Sequence, residues 1–225
     1  DNENALLAHP AGGYPRNTVL TPEVMQEISR KGADRILVRS PLVGGIDLAG
    51  HVVASRDARW REGDAVLLTG CGLSETRDGG YAEYARVPAQ WVVPLPAGLS
   101  LREAMVLGTA GFTAGLSLHR MLANGQRPEL GPVVVTGASG GVGMLALDIL
   151  TRAGFEAHAI SGKPEQFDFL QSLGARQCIS RHGLHWGQRP LETPRWGGAI
   201  DNVGGEMLDG LTRVIQPYGC IASCG

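Results

Sequence analysis

Val133-Val134-Val135-Thr136-Gly137-Ala138-Ser139-Gly140-Gly141-Val142-Gly143 is the stretch on which the rest of the chain turns. Three β-branched residues in a row predict a short buried strand. A glycine-rich turn follows, and Met144 to Leu150 continue as a helix. Strand, glycine turn and helix are the opening of a dinucleotide-binding βαβ unit. Glycines let the backbone approach a pyrophosphate with no Cβ in the way. The helix start offers free N–H groups and a positive dipole end to the phosphates. Gly143 lets that helix pack close to the strand. The pattern is A-x-G-x-x-G, with Ala138 in place of the usual first glycine.

The next strand, Glu156 to Ile160, ends in Ser161-Gly162-Lys163. A site preferring NADH would place Asp or Glu at that tip to hold the ribose hydroxyls. A hydroxyl, a glycine and a cation suit a 2′-phosphate instead, so the tip predicts NADPH. Arg181, after the third strand of the series, is a second cation placed to reach the same phosphate.

The whole chain has 225 residues, enough for one large domain or two small ones, and its composition is that of a globular protein. A net charge of −2 with no basic block argues against a nucleic-acid partner. No apolar run approaches membrane length and no signal peptide opens the sequence, so the expected location is cytoplasmic. Cys71, Cys178, Cys220 and Cys224 are scattered, with Cys220 and Cys224 on what reads as a buried strand; free thiols are expected.

Pro10, Gly12, Gly13 and Pro15 break any pattern near the start, so residues 1 to 20 read as loop. Thr21-Pro22-Glu23 then opens a helix that Gly32 ends. Ile36–Val38, Ile46–Val53, Ala65–Leu68 and Trp91–Val93 read as strands, as does the alternating stretch Tyr81–Val87, with Tyr81 and Tyr84 as packing residues. Glycine and proline between short strands suggest a small barrel-like domain. Ser100 and Glu103 form a capping box, and Gly108 to Gly111 interrupt the helix it starts. From Pro132 onward strands and helices alternate, which predicts a parallel, doubly wound sheet. The last strand counted is the fifth, where a full sheet of this type would have another.

Together these residues resemble the medium-chain dehydrogenase/reductase superfamily in its zinc-free quinone-oxidoreductase branch, closest to the acrylyl-CoA reductase group. The resemblance rests on Gly45–Gly50, Val66–Gly70, Gly108–Ala114, Val135–Gly143, Ser161–Lys163, Ser172–Ala175 and Ala199–Gly204. It implies an α/β protein: a partial GroES-like substrate domain over residues 1–103, with an N-terminal insertion, and an NADP-binding Rossmann domain over 104–225, incomplete at its end. It also implies NADPH as cofactor, held by Thr109, Ser139, Gly140, Gly141, Val142, Ser161, Gly162, Lys163 and Arg181. The implied reaction is reduction of an activated C=C bond in an acryloyl-CoA-type thioester. A quinone reductase and a non-catalytic NADPH-binding module are the alternatives. A small molecule is the expected partner, with a homodimer possible in the full-length protein. Relatives carry an Asn-Tyr pair near the start; the corresponding Asp1–Leu6 has no Tyr.

Zinc-dependent relatives place His-Glu where this chain has Ile46-Asp47, and His182 and His185 have no nearby cysteine, so no metal is expected. Short-chain dehydrogenases need Tyr-x-x-x-Lys, and none of Tyr14, Tyr81, Tyr84 and Tyr218 has a lysine four residues on. Asp47 is a candidate acid for which a structural role is the stronger reading. Cys71 has no cation beside it in sequence to make it nucleophilic. No proton donor can be named.

Overall fold

The structure, a computed structural model, describes residues 6–7, 11–15, 18–32, 38–39 and 42–225. The chain divides into two compact units, Asp1–Leu95 and Pro96–Gly225.

The first unit holds β1 (Leu6–Leu7), α1 (Pro22–Arg30), β2 (Val38–Arg39), β3 (Asp47–His51), β4 (Ala65–Thr69) and β5 (Val93–Pro94). β1 and β2 pair antiparallel, so the opening residues are not all loop. Most of the strand expected at Ile36–Val38 lies outside the described residues, as does Asp1–Ala5. β3, β4 and β5 form an antiparallel sheet in that order. α1 begins as the sequence predicts: Thr21 Oγ1 accepts a hydrogen bond from Val24 N at 3.4 Å, Pro22 sits at the first position, and Gly32 follows with φ 81°.

The alternating stretch 81–87 is not a strand. Tyr81 is 83% exposed and Tyr84 74%, on opposite faces of the alternation, so neither face is buried. Alternation makes a strand only when one face finds a core and the backbone finds a ladder. Here the Tyr81 N–H donates to Gly44 O, in the segment before β3, and the Ala82 N–H to Gly80 O in a local turn, and no ladder continues from them. The tyrosines are surface residues, not packing residues.

The second unit holds α2 (Leu101–Ala123), β6 (Val133–Thr136), α3 (Gly141–Arg152), β7 (Ala157–Ser161), α4 (Phe167–Ser172), β8 (Ala175–Ser180), β9 (Trp196–Asp201), α5 (Gly205–Val214) and β10 (Ile215–Ser223). Five strands lie in the order β10-β9-β6-β7-β8, every pair parallel. Counted within the unit that is 5-4-1-2-3, the order of a doubly wound nucleotide-binding sheet. β6 is its middle strand. Val133 and Val135 pack in one core with Ala146, Leu147 and Leu150 of α3 and Ala114, Leu118 and Met121 of α2. Val134 packs on the other face with Trp196, Leu211 and Val214. A strand covered on both faces needs no polar alternation, which is why it reads as a continuous apolar run.

The capping box at the start of α2 is complete: Ser100 Oγ accepts from Glu103 N at 3.2 Å, and Glu103 Oε2 accepts from Ser100 N at 2.8 Å. Gly108 breaks the helix with φ 46° and ψ −150°, a backbone state that a side chain would strain. Of the expected pair on a buried strand, Cys220 is half-buried in β10, whereas Cys224 lies just past it and is exposed. All four cysteines are free thiols.

Candidate dinucleotide site

The C-terminal end of β6 turns at Gly137 (φ 56°) and enters α3 at Gly140. Gly140 is the N-cap and offers no side chain, so the first N–H groups of α3 are left for a ligand. An added Cβ on Gly143 would lie 2.5 Å from Gly137 O and 2.6 Å from Ala138 Cα. Only glycine lets α3 sit this close to the turn. On the other side, a Cβ on Gly141 would meet Ala110 Cβ at 3.5 Å, so the turn after the Gly108 kink abuts the start of α3 and brings Thr109 into the neighbourhood.

Beside this turn lies a cavity of about 270 Å³ lined by Gly137, Ser139, Ile160, Ser161, Gly162, Lys163, Arg181, Val203 and Met207. Five of the nine residues expected at the cofactor therefore share one cavity wall: Ser139, Ser161, Gly162, Lys163 and Arg181. Gly140, Gly141 and Val142 form the adjoining helix start, and Thr109 stands outside the lining. Gly137, Ile160, Val203 and Met207 escaped the sequence reading as lining residues. Gly137 was in the quoted motif, but its exposure to the cavity depends on the turn's geometry. Val203 and Met207 follow a strand more than sixty residues downstream, and only the parallel pairing of β6 with β9 brings them here.

Ser161 ties the site together. Its hydroxyl donates to Ser139 Oγ at 3.0 Å and accepts from Lys163 N at 3.1 Å. Its carbonyl accepts from Arg181 N at 3.0 Å, which fixes the start of the loop after β8. A Cβ on Gly162 would lie 2.5 Å from Arg181 Nε, so the missing side chain is what lets the arginine lie across the strand tip. Lys163 and Arg181 are both exposed, and no carboxylate lines the cavity. Two cations, two hydroxyls and a glycine turn are groups that could hold a phosphorylated dinucleotide, the turn suiting a pyrophosphate and the tip a further phosphate on the adenosine ribose.

Asp201, at the end of β9, is fully buried, and its carboxylate accepts from Thr136 Oγ1 at 2.6 Å and Gly204 N at 2.9 Å. It locks the ends of β6 and β9 side by side. Cys178 sits under α4, where burial raises its thiol pKa and keeps it protonated. Asp47 is half-buried in β3, and Cys71 is exposed in a loop, both in the first unit. Among the described residues no group of three His, Cys, Asp or Glu side chains could hold a metal ion, and no helix is long and apolar enough to cross a membrane.

A parallel sheet of this order, with a glycine turn opening the helix after its middle strand, defines an α/β protein of the Rossmann class. The alcohol dehydrogenase GroES-like domain model matches residues 20–97. The chain is 48% identical over 199 residues to a putative quinone oxidoreductase of Bacillus subtilis, an alignment covering 88% of this chain and 60% of that protein. It is 50% identical over 191 residues to an acrylyl-CoA reductase of Ruegeria pomeroyi, covering 84% and 58%. Among solved structures, an oxidoreductase of Salmonella enterica in complex with NADP superposes with a TM-score of 0.80 at 49% identity, over 82% of this chain and 57% of that one. The Bacillus subtilis protein with NAD bound gives 0.80 at 49% identity, over 83% and 57%. The chain belongs to the medium-chain dehydrogenase/reductase family. It spans about 60% of the length of the curated relatives it matches.

Proposed function

We propose that this chain is the NADPH-binding part of an oxidoreductase that reduces an activated carbon–carbon double bond, in an enoyl thioester of the acryloyl-CoA type. The observation that carries the cofactor is the strand tip: Lys163 and Arg181 flank a cavity with no lining carboxylate. The acrylyl-CoA reductase of Ruegeria pomeroyi, at 50% identity, supports the substrate class. Bound NADPH supplies a hydride. The chain's own residues bind and orient: the N–H groups of Gly141 and Val142 hold the pyrophosphate, and Ser161, Lys163 and Arg181 hold the adenosine end. With the donor so fixed, the β-carbon of the substrate is presented to it in one orientation, and the rate gain comes from that positioning. Reduction of a quinone on the same scaffold is the second reading, supported by the Bacillus subtilis relative.

The test is the melting midpoint with NADPH and with NADH. A ligand that binds only the folded state raises the midpoint with the logarithm of its concentration over Kd. NADPH should give the larger shift, and Arg181→Ala should weaken NADPH about tenfold or more while leaving NADH nearly unchanged. Equal shifts with the two cofactors would refute the reading of the tip. Turnover of acryloyl-CoA against small quinones by the full-length protein separates the two substrate classes.

A further inference from the structure

We propose that His158 is a proton-operated latch: its neutral ring holds the Trp196 indole, and with it the loop of residues 181–195, and its protonated ring releases them. His158 lies in β7 in register with Val134 of β6, on the sheet face that α5 covers. Its side chain is only 11% exposed and makes two hydrogen bonds. Nε2 lies 2.9 Å from Glu156 Oε1, and Nδ1 lies 3.1 Å from the Trp196 indole nitrogen.

These two bonds fix where the ring hydrogen sits. An indole N–H only donates, so Nδ1 is a bare acceptor; the neutral ring carries its hydrogen on Nε2, where Glu156 accepts it. A second proton then changes one side only. Nε2–H donates to Glu156 in both forms. Nδ1 gains a hydrogen that faces the indole N–H, donor against donor, and the bond to Trp196 cannot persist. Trp196 is 3% exposed, so its N–H has no water to turn to, and a buried donor left unpaired is costly. The two rings must part.

Trp196 opens β9, where the loop ends, and the loop rests on it. Its ring meets Trp186 of the loop with centroids 6.2 Å apart, tilted by 57°. Trp186 in turn covers Gly210 of α5, where its ring leaves no room for a Cβ. The apolar anchor of the loop on α5 is thus built on the ring that His158 holds. Around His158, β6 presents Val134 and β8 presents Gln177 and Ile179, none of them titratable. α5 brings Asp209 and Arg213, paired with each other at 2.6 Å. The loop brings Arg195, which donates to the His185 carbonyl, and two exposed histidines, His182 and His185. Among the described residues Glu156 is the ionisable group bonded to the His158 ring.

Nitrogen-15 NMR of the chain from about pH 8 to about pH 5, the range in which histidines exchange their proton, tests this. At the upper end the His158 ring should carry hydrogen on Nε2 alone, with the Trp196 indole N–H protected from exchange. At the lower end the ring should carry both hydrogens, and protection of the Trp196 N–H should fall about tenfold, the worth of one hydrogen bond. The Trp186 indole resonance should move with the same midpoint. His158→Gln, whose side-chain oxygen accepts but does not titrate, should keep the Trp196 N–H protected and Trp186 unmoved throughout. If Trp186 still responds to acid in that variant, His182 or His185 is the cause and the proposal falls. A doubly protonated ring beside a protected Trp196 N–H overturns it, as does a neutral ring with its hydrogen on Nδ1 or a ring still neutral at the lower end. Should His158→Gln fail to fold, Trp196→Phe removes the N–H and keeps an aromatic ring. Trp186 should then ignore the acid, and a response as large as in the unsubstituted chain overturns the proposal.

Discussion

In β6, Val133, Val134 and Val135 are each fully buried, with a parallel strand on either side and helices over both faces. In β3, four of five residues are half-buried and the fifth is exposed, and among the described residues its one partner strand is β4. Both segments are short strands in sequence, yet their side chains do different work. The β6 valines are each worth about 1.5–3 kcal/mol of burial, because no water reaches either face. The β3 residues hold a register and little more. What separates the two units is how far the backbone geometry is fixed by packing from outside the strand.

The largest expected effect sharpens that contrast through two glycines, one inside an element of each unit. Gly143 in α3 has backbone atoms 2.5–2.6 Å from where a Cβ would stand, and backbone cannot move aside. Gly50 in β3 has nothing within 4 Å of that position. Gly143→Ala should cost about 3 kcal/mol or more in urea unfolding, through overpacking. Gly50→Ala should change stability by less than about 0.5 kcal/mol. A comparable cost for the two would break the comparison, because it would place β3 under the same constraint as the start of α3.

The helix starts give the next test. Ser100 caps α2 through a reciprocal pair of hydrogen bonds with Glu103, whereas Thr21 caps α1 through one long bond of 3.4 Å. Ser100→Ala should cost about 1 kcal/mol and Thr21→Ala about 0.5, at the low end for caps. Amide exchange in the first turn of each helix reports the two separately.

The same contrast explains what could be read from the sequence. Val133 to Val135, the capping box at Ser100 and the break at Gly108 were legible because each is decided locally: by β-branching, by a three-residue spacing, by a glycine where φ must be positive. That Ser161, Gly162 and Lys163 stand beside the glycine turn, on one cavity wall, was legible because a strand tip two elements after such a turn has one place to be in a βαβ unit. The strand expected at 81–87 failed on the same ground. Its alternation is real, but whether Tyr81 or Tyr84 meets a core depends on partners far away in sequence, and neither does. Val203 and Met207 carry no local signal either; they line the cavity only because β9 pairs with β6 and not with β8.

The smallest effect expected concerns two carboxylates, again one in each unit. Arg59 holds Asp57 down to a pKa of about 2, and Arg189 does the same for Glu192. Each folded-state value lies below the ordinary carboxylate range, so each group favours the folded state above its unfolded pKa, and that contribution fades as pH falls towards about 2. The surroundings differ. The Asp57 carboxylate accepts from the backbone N–H and guanidinium of Arg59 and closes its own turn. Glu192 lies against Gly187 and accepts from the backbone N–H groups of Gln188 and Arg189, while its own N–H donates to Arg213 O of α5. Protonating Glu192 therefore loosens the loop between β8 and β9 from the helix below it, whereas protonating Asp57 loosens one turn. Cleavage by pepsin, an acid-active protease, between pH 4.5 and about 2 should rise first within residues 186–195, and Glu192→Gln should show that cleavage already at the upper end of the range. Asp57→Asn should leave the pattern unchanged. If cleavage instead begins around Asp57, the first unit is the one whose loop depends on its carboxylate.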